Sequence, residues 1–366
     1  MSLKNLFERL FHNLMNIPMN AGQSQNIAYS VLDLATVIEG KTPADTFVNS
    51  LDLAREVERL GYSRFWLAEH HNMVSVASSA TSVLIGYIAG GTSTLRVGSG
   101  GIMLPNHSPL VVAEQFGTLA SLYPDRIDLG LGRAPGTDQI TARAIRGENF
   151  NAVHNFPADI QRLQKYFSKD NANGNVRAIP GEGLDIPIWI LGSSTDSARV
   201  ASSLGLPYAF ASHFAPTHFR EAIEIYRRNF RPSAYLKEPY VLACVNVVAA
   251  DTDAEANRLV TSLLQLFIGV ITGSRKLLQP PVDSMDGIWS MQEEYAVNQM
   301  LTYSFIGGPE KLKKQLSAFV KQTGVNEIMA TSHIFDHAAR LRSYQIFSQV
   351  LREINAEHPD LATVQK

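Results

Sequence analysis

From Ile27 onward the sequence alternates between short apolar runs and amphipathic segments. The runs cover 27–35, 64–70, 96–103, 126–132, 187–192, 208–214, 240–250 and 327–335. Most are apolar on consecutive residues, as parallel strands covered on both faces are. The first helix between them is clearly marked. Thr42 offers a capping hydroxyl, Pro43 suits the first helical position and Asp45 puts an acid in the first turn. Phe47, Leu51, Ala54, Val57 and Leu60 then line one face, and Gly61 stops it. Ser108-Pro109 and Gly307-Gly308-Pro309 open later helices. Eight strand–helix pairs without a linker predict an α/β fold, a (β/α)8 TIM barrel, over an open doubly wound sheet. The stretch 270–305, with Gly273, Pro280-Pro281 and Trp289, is expected to be an insertion between strands seven and eight. Residues 24–366 read as one barrel domain. Residues 1–23 read as an N-terminal extension of unassigned role, with Leu3, Phe7, Leu10, Phe11 and Leu14 on one helical face.

Composition narrows the function classes. Lys and Arg total 32 against 34 Asp and Glu in 366 residues, so no general attraction to nucleic acid or an anionic membrane is expected. No apolar run approaches the length of a membrane span. The single cysteine, Cys244, lies in an apolar run and reads as a buried small residue. It cannot build a disulfide framework within one chain, and a cytoplasmic location is the expectation.

Chemistry in a barrel gathers at the C-terminal ends of its strands. Several predicted strands end in unusual residues: "LAEHH", "GSGGIMLPNHSP", "GLGRAPG", "LGSSTDS" and "ASHF". Gly192, Ser193 and Ser194 precede a helix beginning near Asp196, where free N–H groups and the helix dipole suit a phosphate; a plain helix cap explains them equally well. Arg133 sits at the same rim, as a phosphate ligand or a surface ion-pair partner. "GLGRAPG" lacks the dinucleotide fingerprint spacing. His70 and His71 are adjacent, which on a strand turns their side chains to opposite sides. A mononuclear metal site is therefore not expected. One of the two histidines facing the barrel mouth would serve in proton transfer, the other in structure. Gly98, Gly100 and Gly101 leave strand three bare, either for a flat ligand ring or for packing inside the barrel.

The ordered set "RFWLAEHHN", "RVGSGGIMLPNHSPLVVAEQFGTL", "RIDLGLGRAPG" and "IWILGSSTDSARVASSLGLPYAFASHF" resembles the bacterial-luciferase-like, flavin-dependent monooxygenases. It is most similar to their single-chain bacterial branch, from about Ile27 to about Leu351. The resemblance implies a (β/α)8 barrel with reduced FMN over its C-terminal mouth and O2 as co-substrate. It implies that Arg133, with Gly192, Ser193 and Ser194, holds the flavin phosphate. It implies a cis peptide at Gly100-Gly101 beneath the ring and a catalytic role for His70. Gly132 stands where the luciferases carry a cysteine, so no role for that thiol carries over. The luciferases' aldehyde-binding residues have no clear equivalents here.

The leading expectation is a monooxygenase that oxygenates a small organic molecule. A separate NAD(P)H:flavin reductase would supply reduced flavin, unless it is made in place. A homodimer is the family expectation. Two alternatives share the barrel: an F420-dependent hydride-transfer oxidoreductase, indifferent to oxygen, and a non-catalytic flavin-binding protein. A metal-dependent barrel hydrolase is the alternative from another class.

Overall fold

The computed structural model describes residues 26–147 and 155–357. The expected N-terminal helical face lies outside them. Strands β1 (Ala28–Asp33), β2 (Arg64–Leu67), β3 (Arg96–Ser99), β5 (Ile127–Gly132), β6 (Ile188–Gly192), β7 (Tyr208–Phe210), β8 (Val241–Ala249) and β10 (Glu327–Thr331) pair in parallel around a ring. β10 pairs with both β1 and β8, which closes the barrel. The predicted (β/α)8 fold is therefore the observed one. Each predicted run contains one of these strands. β4 (Ile102–Met103) continues β3 beyond Gly100-Gly101 and pairs with β5.

Helices surround the ring: α1 (Pro43–Arg59), α2 (Thr81–Gly90), α3 (Pro109–Leu122), α4 (Gln139–Arg146), α5 (Phe156–Phe167), α6 (Thr195–Leu204) and α7 (Phe219–Asn229). α8 (Asp253–Leu259), α9 (Thr261–Thr272), α10 (Met291–Met300), α11 (Pro309–Thr323) and α12 (His337–Ala356) complete them. The signals around α1 act as their chemistry dictates. Thr42 and Asp45 form a reciprocal capping box, Pro43 opens the helix, and Gly61 takes a φ of +78° just past its end. Leu32, Trp66, Ala68, Trp189, Ala209, Leu242, Cys244 and Met329 fill the barrel interior. A larger apolar layer joins the outside of the sheet to the helices.

Two features went unread in the sequence. β9 (Ser304–Gly307) pairs with the outer half of the long β8, in register Asn246↔Ser304 to Ala249↔Gly307. The α8–α9 stretch Asp253–Thr272 is long and apolar enough to cross a membrane by length and composition, against the expectation of no such run. Half of it is buried. Leu259, Leu263, Leu264 and Phe267 pack there with Val248, Met285, Val297 and Ile306, so the core of this region accounts for its hydrophobicity. Within 270–305, Leu278 bridges to Ile38, exchanging backbone bonds with Val37 (3.0 Å) and Glu39 (2.9 Å). This stitches the segment to the loop that follows β1.

Candidate active site

β2 ends at Leu67, so Glu69, His70 and His71 lie in the loop above the strand, not on it. Strand alternation therefore does not direct the two histidines, but they do diverge. His71 Nε2 donates to Glu69 Oε1 at 2.8 Å. His70 Nδ1 lies 3.1 Å from the Gly136 carbonyl oxygen. Glu69 is 1% exposed and is the hub of the mouth. It also accepts from His107 Nε2 at 2.8 Å, from the Met103 N–H at 3.0 Å and from Asn106 Nδ2 at 3.4 Å. Burial pushes its carboxyl up, but the bonds from His107 and His71 outweigh that and bring it down to about 2. At neutral pH it is a carboxylate that only accepts, so both imidazoles donate to it.

The rest of the mouth is lined by imidazoles that stay neutral. Burial lowers the affinity of His70 for a proton. His213, after β7, is brought down to about 3, first by burial and then by His333 and His70. His333, after β10, is brought down to about 4 by burial and by Arg340. The backbone of His213 is held by Asn246 Nδ2, which donates to its carbonyl at 2.6 Å. Its Nδ1 is buried without a partner. Among the described residues no group of three or more His, Cys, Asp or Glu side chains is arranged to hold a metal.

The peptide bond between Gly100 and Gly101 is cis. The bareness of strand three has a packing cause. An added Cβ would meet the Asp128 carbonyl at 2.5 Å from Gly98, Leu32 at 2.6 Å from Gly100 and the Gly130 carbonyl at 2.7 Å from Gly101. Arg133 follows β5 at the rim and reaches Asp196, in the first turn of α6, at a long 3.3 Å. Ser194 is the N-cap of α6 with extended backbone, but no side chain caps that helix. Gly192 allows the tight turn below it, since a Cβ there would fall 2.0 Å from Ser197 Oγ. A half-exposed guanidinium beside an uncapped helix N-terminus suits a phosphate, so these residues fit a flavin nucleotide. The Asp196 carboxylate, beside Arg133, opposes an anion there.

The sequence marked Glu69, His107, Gly136 and His213 only as members of strand-end motifs; the hub role of Glu69 and the contributions of Asn106 and His333 were not legible in it. The motif "PNHSP" carried the only signal for Asn106 and His107, as polar residues ending a barrel strand.

This site lies on a known kind of barrel. Residues 28–327 match the luciferase-like monooxygenase family. An uncharacterised Bacillus subtilis protein, YvbT, is 55% identical over 333 residues, which is 91% of this chain and 99% of YvbT. An Escherichia coli luciferase-like monooxygenase is 51% identical over 330 residues, 90% and 98% of the two chains. A Bacillus subtilis N-acetyl-S-alkylcysteine monooxygenase is 31% identical, over 89% and 98%. The chain belongs to the luciferase-like monooxygenase family, whose membership supports an oxidoreductase. Among solved structures, apo-MsnO8 superposes with a TM-score of 0.80 at 36% identity, over 89% of this chain and 98% of that one. Two more distant structures show likeness of fold. They are the FMN complex of the oxygenating constituent of a Pseudomonas putida 3,6-diketocamphane monooxygenase (TM-score 0.67, 16% identity, 90% and 98% covered) and an F420-dependent secondary alcohol dehydrogenase (0.65, 14%, 90% and 99%).

Proposed function

We propose that the protein is an FMN-dependent monooxygenase acting on a small organic molecule. The observation that carries this reading is the pairing of the Arg133 guanidinium with the uncapped start of α6, on the rim of the mouth that holds His70. Arg133 and the backbone at Gly192, Ser193 and Ser194 would hold the phosphate, and Gly100-Gly101 would lie beneath the ring. When bound, reduced FMN supplies two electrons and the means of activating O2. One oxygen atom then enters the substrate and the other leaves as water. The protein's own part is to anchor the cofactor, keep water out with Leu32 and the segment around Leu278, and hold or move a proton at His70. The reduced cofactor comes from a separate NAD(P)H:flavin reductase in this reading.

The distant likeness to an F420-dependent dehydrogenase supports a second reading, hydride transfer to or from a deazaflavin. Incubation of the full chain with reduced FMN, candidate thioethers and ketones, and isotopically labelled O2 separates them. The FMN reading requires one labelled atom in the product. Oxygen-independent turnover with F420 and none with FMN would replace it by the second.

A second copy of the chain is the protein partner we propose. Val83 and Tyr87 on α2, with Val111 and Leu122 on the neighbouring α3, leave an exposed apolar strip that supports it. Sedimentation velocity on wild type and Val83→Glu checks this: a monomeric wild type refutes it.

A further inference from the structure

The proton on His70 can be shared in only one direction. The Gly136 carbonyl oxygen, 3.1 Å from Nδ1, accepts and cannot donate. Nδ1 therefore carries the hydrogen, and in the neutral ring Nε2 keeps a free lone pair. That carbonyl is itself fixed from several sides. The His71 N–H donates to it at 3.3 Å. Asn106 Nδ2 donates to the adjacent Pro135 carbonyl at 2.9 Å. Thr137 Oγ1 donates to the His71 carbonyl at 2.9 Å. The Asn106 amide is oriented by Arg146, whose Nε donates to its Oδ1 at 2.9 Å. Gly136 takes a φ of +66°, and a Cβ there would fall 2.8 Å from the Glu69 carbonyl. The turn is thus pressed against Glu69, and His71, His107 and Asn106 all bond to the Glu69 carboxylate.

We propose that Glu69 and Asn106 are positioning residues that set the tautomer of His70. They hold the 135–137 turn so that the Gly136 carbonyl keeps the Nδ1 hydrogen and Nε2 exchanges protons with the bound reactants. The inference rests on the proposed role of His70 at the mouth. Its consequence is a base with a single port. A proton taken up at Nε2 gives an imidazolium with hydrogen on both nitrogens. The carbonyl can take neither of them, so the proton gained returns through Nε2. The charged and titratable groups that face this ring are Glu69, which favours its protonation, Arg275 and His71, which oppose it, and His213, whose own protonation His70 disfavours.

The test is nitrogen-15 NMR of histidine-labelled full-length protein near pH 7, with the His70 signals assigned by their loss in His70→Gln. The wild type should show the hydrogen on Nδ1. Asn106→Ala and Glu69→Gln should give a mixture of tautomers with FMN affinity retained. Their kcat should fall by at least about tenfold, because a correctly protonated general base is worth roughly 10²–10⁴-fold. The acid limb of the kcat–pH profile should move in both variants. A wild-type ring carrying its hydrogen on Nε2 overturns the proposal. So does an unchanged tautomer in Asn106→Ala, which carries the test alone if Glu69→Gln fails to fold. The spectrum needs no turnover. Absence of oxygen-dependent activity would sink the functional reading and leave this one to be decided by the NMR.

Discussion

At the scale of single residues the mouth is governed by which charges are satisfied and which are left open. Glu69 is satisfied four ways, and that has a price in acid. Its carboxyl is held at about 2 in the folded protein, below an ordinary value of 4.5. A carboxyl depressed on folding stabilises the native state above its unfolded pKa, and loses that contribution as pH falls through the folded value. The contribution is about 3 kcal/mol, present at pH 7 and lost between pH 4.5 and 2. Urea unfolding at pH 7 and near pH 3 should show this component in wild type, and Glu69→Gln should lack it. Equal pH dependence in both proteins would mean that other carboxyls set the acid limit. Arg133 is the opposite case, a guanidinium with one long contact. Arg133→Ala should lower FMN affinity by roughly 10- to 100-fold, the worth of a charge-assisted hydrogen bond, and leave riboflavin affinity nearly unchanged. Titration by flavin fluorescence measures both, and equal losses would remove the phosphate role. The sequence exposed Arg133 because a lone arginine after a glycine-rich strand is conspicuous. It hid the Glu69–His107 contact, because the loop that closes 38 positions of separation has no periodicity to reveal it.

Secondary elements were legible where burial is two-sided and became illegible where strands hand over to loops. "RFWL", "RVGS" and "EIMAT" are strands, but the apolar run around each continues past the last ladder bond. β2, β7 and β10 therefore stop at Leu67, Phe210 and Thr331, short of the runs that predicted them. Ala68, Glu69, Ser212, His213, Ser332 and His333 beyond them remain buried, and burial was the only signal the sequence carried. β9 escaped for another reason. It begins inside the stretch 270–305 that reads as an insertion, and it pairs with the part of the nine-residue β8 that extends past the ring. Glycines carry a similar ambiguity, as Gly117 in the middle of α3 shows. Helix propensity favours Gly117→Ala by about 1 kcal/mol. A Cβ there, however, would meet the Gly181 backbone at 2.3 Å from Cα and 2.5 Å from N, with no flexible side chain to yield. Overpacking of this kind costs typically about 1–3 kcal/mol, so Gly117→Ala should destabilise. A rise in melting temperature would show that the 180–181 loop moves aside freely.

Across the whole molecule, a second buried polar cluster lies at the end of the barrel opposite the candidate site. The N-terminal end is closed by a buried ionic plug. Arg64 donates to Glu327 and to Asp128, both at 2.8 Å, and its guanidinium lies 4.6 Å from the centre of the Trp189 ring. Arg96 reaches Asp128 at 2.6 Å, Trp66 Nε1 donates to Asp128 at 3.1 Å and Tyr240 donates to Glu327 at 2.9 Å. Two cations face two anions, so the cluster is neutral as a unit and costly to break singly. None of this was legible in the sequence, because the partners begin different strands as far as 263 positions apart. Asp128→Ala would leave Arg64 and Arg96 short of an anion and Trp66 without an acceptor. Breaking a buried pair in this way costs about 3–5 kcal/mol, a large part of a typical total of about 5–15. Thermal unfolding should register that loss. At temperatures where the variant stays folded, its FMN affinity and its turnover per folded molecule should match wild type, because no plug residue reaches the Glu69 hub or the α6 rim. A many-fold change in FMN affinity with an unshifted melting temperature would reverse the assignment. The floor of the barrel would then belong to the site rather than to its support.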